Sequence, residues 1–235
     1  MILGDRSYEK VVIVEPHSDD AFLSLGGFLM NSDLCNVTLV TVGSGVVNDK
    51  LESAHLNEVP GFHHLSYKYL GYVDARLKKE SIRLTKLSLG NNLNAENYFT
   101  AYNPGKTFFH VLAQFLRDHP ADAYVFPMGL HHPMHHITYW IGRQLVTQCY
   151  KQVYFYLDFP YCAQKRVQDY TNQAYKLVPI AEILEPRTRG YVKYEYPVTN
   201  MAEKRQIFGH VYKSQWFIGV QVKDLLVETL YGPVV

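Results

Sequence analysis

The segment Lys10–Val14, KVVIV, is short, β-branched and apolar at consecutive positions. That is the pattern of a strand buried on both faces of a parallel sheet. A polar stretch follows, Glu15-Pro16-His17-Ser18-Asp19-Asp20, and then AFLSLGGFLM over Ala21–Met30 places apolar residues at helical spacing. Ser18 or Asp19 stands where that helix could be capped. Val37–Val42, VTLVTV, predicts a second buried strand, broken by Gly43-Ser44-Gly45, and Tyr67–Leu70 is a candidate third. Phe108–Leu116 predicts an amphipathic helix. Ala123–Phe126 predicts a strand ended by Pro127, then a loop over Met128–Met134 and a helix from about His135 to Thr147. Val153–Leu157 has the pattern of one more strand. From Tyr161 to Val235 the pattern is less regular, with a helix expected near Ala202–Tyr212.

Strands that alternate with helices predict an α/β fold with a mostly parallel sheet flanked by helices. A chain of 235 residues without repeats, low-complexity tracts or an obvious linker is expected to form a single domain over 1–235. Ligands of such sheets sit beyond the carboxyl ends of the strands. Two loops at that position carry unusual chemistry: Pro16–Asp20 after the first strand and His131–His136 after Ala123–Phe126.

Composition narrows the function. Hydrophobic residues make up 47% and charged ones 19%, which suits a globular protein rather than a disordered chain. There are 23 basic and 22 acidic residues, a net charge of +1. Such a balance gives no support for nucleic-acid or membrane-surface binding. Asp5, Arg6, Glu9 and Lys10 interrupt the start of the chain, where a signal peptide needs an apolar stretch. No apolar run reaches the roughly 18 residues of a membrane span. Cys35, Cys149 and Cys162 are too few and too scattered for a disulfide framework, so reducing cytoplasm is the expected compartment. No Gly-x-Gly-x-x-Gly follows the first strand, and dinucleotide binding is not supported. Oligomeric state leaves no mark on the sequence.

His17, Asp19 and Asp20 place three metal-binding or proton-moving groups within four residues. A lone His or Asp in such a loop is usually a cap or a surface residue. Two adjacent carboxylates change the balance, because they repel each other unless a cation or a proton separates them. In the second loop His131, His132, His135 and His136 supply four of the chain's eleven histidines in six positions. A solvated loop is the bland alternative. If the two loops converge, His17, Asp20 and one of these histidines could make a three-ligand site with an open position, which suits catalytic zinc. Spacing alone leaves structural roles equally open. Tyr154, Tyr156, Phe159 and Tyr161 cluster near a strand end and could line a pocket or simply pack.

Four motifs in order raise the specificity. VVIVEPHSDDAFLSLGG resembles the signature of the PIG-L/LmbE-like family of N-deacetylases, a strand, His-Pro-Asp-Asp-Glu and a helix ending in Gly-Gly. His132-Pro133-Met134-His135 resembles the family's His-x-x-His motif. Leu70–Leu77 resembles its middle Leu…Asp-Gly-x-Leu segment, and Lys213-Ser214-Gln215 its C-terminal Ser-Gln pair. The resemblance implies a Rossmann-like zinc hydrolase that removes N-acetyl groups from amino sugars and related glycoconjugates. It implies His17, Asp20 and His135 as ligands of Zn2+, Asp19 as general base and a protonated His132 that stabilises the oxyanion or donates a proton. It also places Asp74 near the sugar hydroxyls.

The departures bear on substrate more than on hydrolysis. Ser18 replaces the usual Pro and Ala21 the usual Glu, which removes a carboxylate next to the centre. His55-Leu56-Asn57-Glu58 lacks the Arg of the family's Arg-x-x-Glu, and Leu130 stands where some members have Tyr. Two alternatives remain at this level: a zinc amidohydrolase acting on a non-sugar amide, and a catalytically inactive metal-binding or scaffold protein. Intact Asp19 and His132 argue against the second.

Overall fold

A small antiparallel ribbon, β1 (Ile2–Leu3) with β2 (Arg6–Ser7), leads into the central strand β3 (Lys10–Glu15). The computed structural model describes residues 2–31, 36–44, 49–73, 108–148, 152–168, 177–213 and 226–233. After β3 come helix α1 (Asp20–Asn31), β4 (Asn36–Ser44), a 3-10 segment (Asp49–Glu58) and β5 (Leu65–Val73). The chain then supplies α2 (Phe108–Asp118), β6 (Ala123–Pro127), α3 (Pro133–Gln148) and β7 (Gln152–Tyr156). A hairpin of β8 (Arg166–Gln168) and β9 (Leu177–Pro179) precedes α4 (Ile180–Thr188), β10 (Tyr191–Pro197), α5 (Met201–Val211) and β11 (Val227–Pro233).

Seven strands form the main sheet in the order β10-β11-β7-β6-β3-β4-β5. The five from β7 to β5 run parallel, and β11 and β10 extend the sheet antiparallel beyond β7. From β3 the chain winds outward through β4 and β5, then returns to pair β6 on the other side of β3. The crevice between the carboxyl ends of β3 and β6 is thus the topological switch point, where open α/β sheets bind ligands.

The period of two along β3 sorts its side chains onto two cores. Val11 and Ile13 join α1 and α5 through Phe22, Leu25, Ile207 and Phe208. Val12 and Val14 join α2 and α3 through Leu112, Leu116, Met134 and Ile141. Burial on both faces explains why this strand is apolar without alternation. Tyr154, Tyr156 and Phe159 are buried packing residues of the first core, which decides their role.

Two buried polar anchors fix α1. Lys204 of α5 and Glu228 of β11 form an ion pair at 2.6 Å with neither side chain exposed. Lys204 Nζ donates to Leu23 O at 2.8 Å, and Glu228 accepts the N–H groups of Gly27 and Phe28 at 2.7 and 2.6 Å. Gly27 N–H and Leu23 O are the two ends of one helical rung, so a charged pair grips the middle of the helix. Glu15 grips its start. Its Oε2 accepts the N–H of Ala21 at 3.1 Å, the bond a capping side chain would make, and its Oε1 accepts from the Thr41 hydroxyl of β4.

Burial pushes the Glu15 carboxyl from 4.5 up to about 8, against the pull of its hydrogen bonds from Thr41, Ser53 and Ala21. The unfolded chain ionises near 4.5 while the folded one keeps the proton to about 8. Stability from this group is therefore complete below the lower value and is lost progressively as pH climbs to the upper one. Glu15→Gln keeps a neutral acceptor without that penalty. Its unfolding free energy, measured by urea denaturation against the native chain, should gain on the native value from about pH 4.5 to 8 and then level off. A difference that stays flat with pH would mean Glu15 is ionised in the fold.

Candidate metal centre

The loop from β3 to α1 closes on itself through Asp20. The His17 N–H donates to Asp20 Oδ2 at 2.8 Å, and His17 Nδ1 lies 3.2 Å from the same oxygen. Across the crevice, the loop after β6 takes unusual backbone angles, with Gly129 at φ +82° and His131 at φ +60°. The His132 N–H reaches Leu130 O at 2.6 Å, a γ-turn centred on His131. Helix α3 then starts at Pro133, a residue favoured at the first helical position. His132 caps it: its Nδ1 accepts the Met134 N–H at 3.3 Å and its carbonyl accepts the His136 N–H at 3.1 Å.

His135, in the first turn of α3, is wholly buried. Its Nδ1 lies 2.6 Å from Asp158 Oδ1, just beyond β7, and the other oxygen of Asp158 accepts the Leu130 N–H at 3.2 Å. Its Nε2 stands 3.1 Å from Asp20 Oδ2, yet it has no hydrogen-bond partner among the described residues. A buried nitrogen left unpaired is costly unless a ligand takes it. A carboxylate on one imidazole nitrogen and an unclaimed second nitrogen facing a carboxylate is how proteins present a histidine to a metal. Ring nitrogens of His17, His132 and His135 lie within 4.8 Å of one another. The residues present therefore fit a divalent cation of the imidazole- and carboxylate-binding kind.

The electrostatics agree. Burial would lower the pKa of His135, but Asp20 and the bond to Asp158 outweigh it and raise it to about 9. Burial would raise Asp20, but His135 and His17 outweigh that and hold its carboxyl well below the usual range. Asp19 is pushed up to about 7, first by burial and then by the charge of Asp20. The cluster thus demands a positive charge between Asp20 and His135 and leaves Asp19 poised near neutrality.

All five residues expected in the two loops, His17, Asp19, Asp20, His132 and His135, come together at the switch point. Asp74 lies outside the described residues, as do Ser214 and Gln215. His136 turns away: Arg187 meets its Nδ1 at 3.0 Å, Trp140 Nε1 stands 2.8 Å from its Nε2, and burial followed by the Arg187 charge holds its pKa well below 6.5. His131 stacks on Tyr161 with ring centroids 5.1 Å apart, and Tyr161 meets His135 edge-on at 5.2 Å. Sequence reasoning missed Asp158. Its signal was position, a carboxylate directly after a strand whose neighbours end in the two chemical loops.

No protein-family model and no curated protein sequence matches the chain. Solved structures do. The zinc-inhibited form of teicoplanin deacetylase Orf2 matches 95% of this chain and 97% of its own, with a TM-score of 0.58 and 14% identity. A deacetylase–teicoplanin complex gives the same coverage and score at 13% identity. The A40926 pseudoaglycone deacetylase Dbv21 matches 96% of this chain and 97% of its own, with a TM-score of 0.52 and 14% identity. The chain has the fold of these deacetylases. The Rossmann-like architecture implied by the sequence resemblance is thereby borne out. In this deacetylase fold the described residues include no helix long and apolar enough to cross a membrane.

A cation bound at His135 must displace the proton that Asp20 and Asp158 hold there. Metal uptake at pH 8 should therefore release protons, read by calorimetry in buffers of different ionisation enthalpy. Asp158→Asn should weaken metal affinity about 10–100-fold in chelator competition. Native affinity in that variant would remove Asp158 from the centre.

Proposed function

We propose that this protein is a zinc-dependent hydrolase that removes an N-acetyl group from an amino sugar or glycoconjugate. The observation that carries the reading is His135, buried, held by Asp158 through Nδ1 while its Nε2 faces Asp20 Oδ2 at 3.1 Å. The shared fold of teicoplanin and A40926 pseudoaglycone deacetylases supports N-deacetylation as the reaction.

We assign His17, Asp20 and His135 as metal ligands. His132 is the other ring near enough. Its Nδ1 accepts a backbone N–H, so the neutral ring keeps its proton on Nε2, and an N–H cannot ligate a metal. The same bond favours a neutral His132 over the protonated one expected from the sequence. Bound zinc would polarise the amide carbonyl and lower the pKa of a coordinated water to about 7.

The chain's own residues do the rest. Asp19 accepts a proton as the water oxygen bonds to the carbonyl carbon, and its pKa of about 7 suits a base working near neutrality. The carbonyl π electrons move onto oxygen, where the His132 Nε2–H donates a hydrogen bond. When the C–N bond breaks, the proton held by Asp19 passes to the departing nitrogen. The carbonyl re-forms as acetic acid, whose proton passes to the freed amine to give acetate and an ammonium, and Asp19 is again a carboxylate.

Mass spectrometry of N-acetylated sugars and glycoconjugates incubated with the protein should show loss of one acetyl group. One neighbour was solved in a zinc-inhibited form, so activity should be followed across a zinc titration, with other divalent ions in parallel. Turnover of none of these substrates at any metal loading would sink the reading. Asp19→Asn should keep the metal and lose turnover, because the amide cannot take the proton.

His132→Ala should also keep the metal and lose about two to three orders of magnitude in kcat. His17→Ala, Asp20→Ala and His135→Ala should each lose most of the metal by elemental analysis, whereas His131→Ala and His136→Ala should retain it. If His132→Ala sheds the metal and His135→Ala keeps it, the ligand and the oxyanion donor are exchanged.

A further inference from the structure

We propose that Arg187, on α4, is a positioning residue that sets the loop Met128–His132 and so aims His132 at the reacting carbonyl. The proposal rests on the deacetylase reading above. It starts from strain. The loop needs two residues at positive φ, Gly129 and the non-glycine His131, and the second is the centre of a γ-turn. Such backbone persists only where its surroundings dictate it, and it gathers at functional sites.

Arg187 is buried, and its guanidinium supplies that dictation. One nitrogen, NH1, donates to Met128 O at 2.6 Å and to Gly129 O at 2.7 Å. The other, NH2, lies 3.0 Å from His136 Nδ1 in the first turn of α3. The group also lies over the Tyr139 ring, 4.6 Å from its centroid. One rigid planar fork therefore ties the entrance of the loop to the helix at its exit. Leu130, His131 and His132 must span the fixed interval between them. Glycine is needed at the entrance, since a Cβ on Gly129 would meet Arg187 NH1 at 2.9 Å and Tyr139 Cβ at 2.7 Å.

The clamp bears on His132 and spares the metal ligands. His17 and Asp20 belong to the other loop, and His135 is held directly by Asp158, which touches the clamped loop at the Leu130 N–H. A lysine could offer its donors to the same carbonyls but cannot reproduce the planar fork.

The test compares Arg187→Met and Arg187→Lys in the zinc-loaded protein. Metal content should stay native in both. The kcat of Arg187→Met should fall about 10²-fold with KM within a few-fold, the size expected when a group is displaced by about 1 Å. Arg187→Lys should recover part of that loss. A structural role alone would leave the imidazole of His132 undisturbed. Its long-range 15N–1H spectrum should instead change from the single Nε2–H tautomer to a mixture in Arg187→Met.

Native kcat together with a native His132 spectrum would overturn the proposal, and so would metal loss that tracks activity in both variants. If Arg187→Met fails to fold, Arg187→Lys and Gly129→Ala carry the same readouts. If the native protein deacetylates nothing, the functional reading fails, and the His132 spectrum still decides the clamp.

Discussion

His135 is an imidazole shut away from water between two carboxylates, and the arrangement of the site follows from meeting its demand for positive charge. Asp158 fixes the orientation of the ring, and Asp20 faces the nitrogen left over. These three residues follow three adjacent strands, β7, β6 and β3, so parallel pairing brings them to one edge. The sheet makes them one centre because its winding reverses between β3 and β6.

The four carboxylates around this point show how far neighbours, rather than residue type, decide ionisation. Glu15, Asp19, Asp20 and Asp158 are all buried, and burial pushes each of them up. Asp20 touches two imidazoles directly, His17 at 3.2 Å and His135 at 3.1 Å, and of these four it alone ends far below its ordinary range. Its sequence neighbour Asp19 moves the opposite way, raised first by burial and then by the charge of Asp20. One carboxylate fit to hold a cation and one fit to hold a proton thus arise from two consecutive identical residues.

Much of this was legible in the sequence because buried parallel strands and their following loops leave strong local signals. KVVIV and VTLVTV marked β3 and β4 to within two residues, and the loops after β3 and β6 showed their chemistry as clustered His and Asp. Helix α3 begins at Pro133, two residues before the predicted start, and that shift makes His132 its cap. The last third was harder to read. Helix α4 is short, contains Pro186 and buries only Ile183 and Arg187, so it shows little apolar periodicity. Strand β10 is an edge strand in which no residue is fully buried, so it lacks the apolar run of the central strands and was not read from the sequence. Arg187 could not be found by pattern at all, because its partners are backbone carbonyls.

The grip of Lys204 and Glu228 on the middle of α1 has a consequence for biosynthesis. The helix that starts at Asp20 meets Glu228, some two hundred residues later, only when the last described strand has left the ribosome. Until then Leu23 O and the N–H groups of Gly27 and Phe28 lack their charged partners from α5 and β11. A nascent chain therefore carries all three proposed ligands long before it can hold them in register. A product cut short of β11 would keep the signature motifs yet lack the buried support that Lys204 and Glu228 give α1.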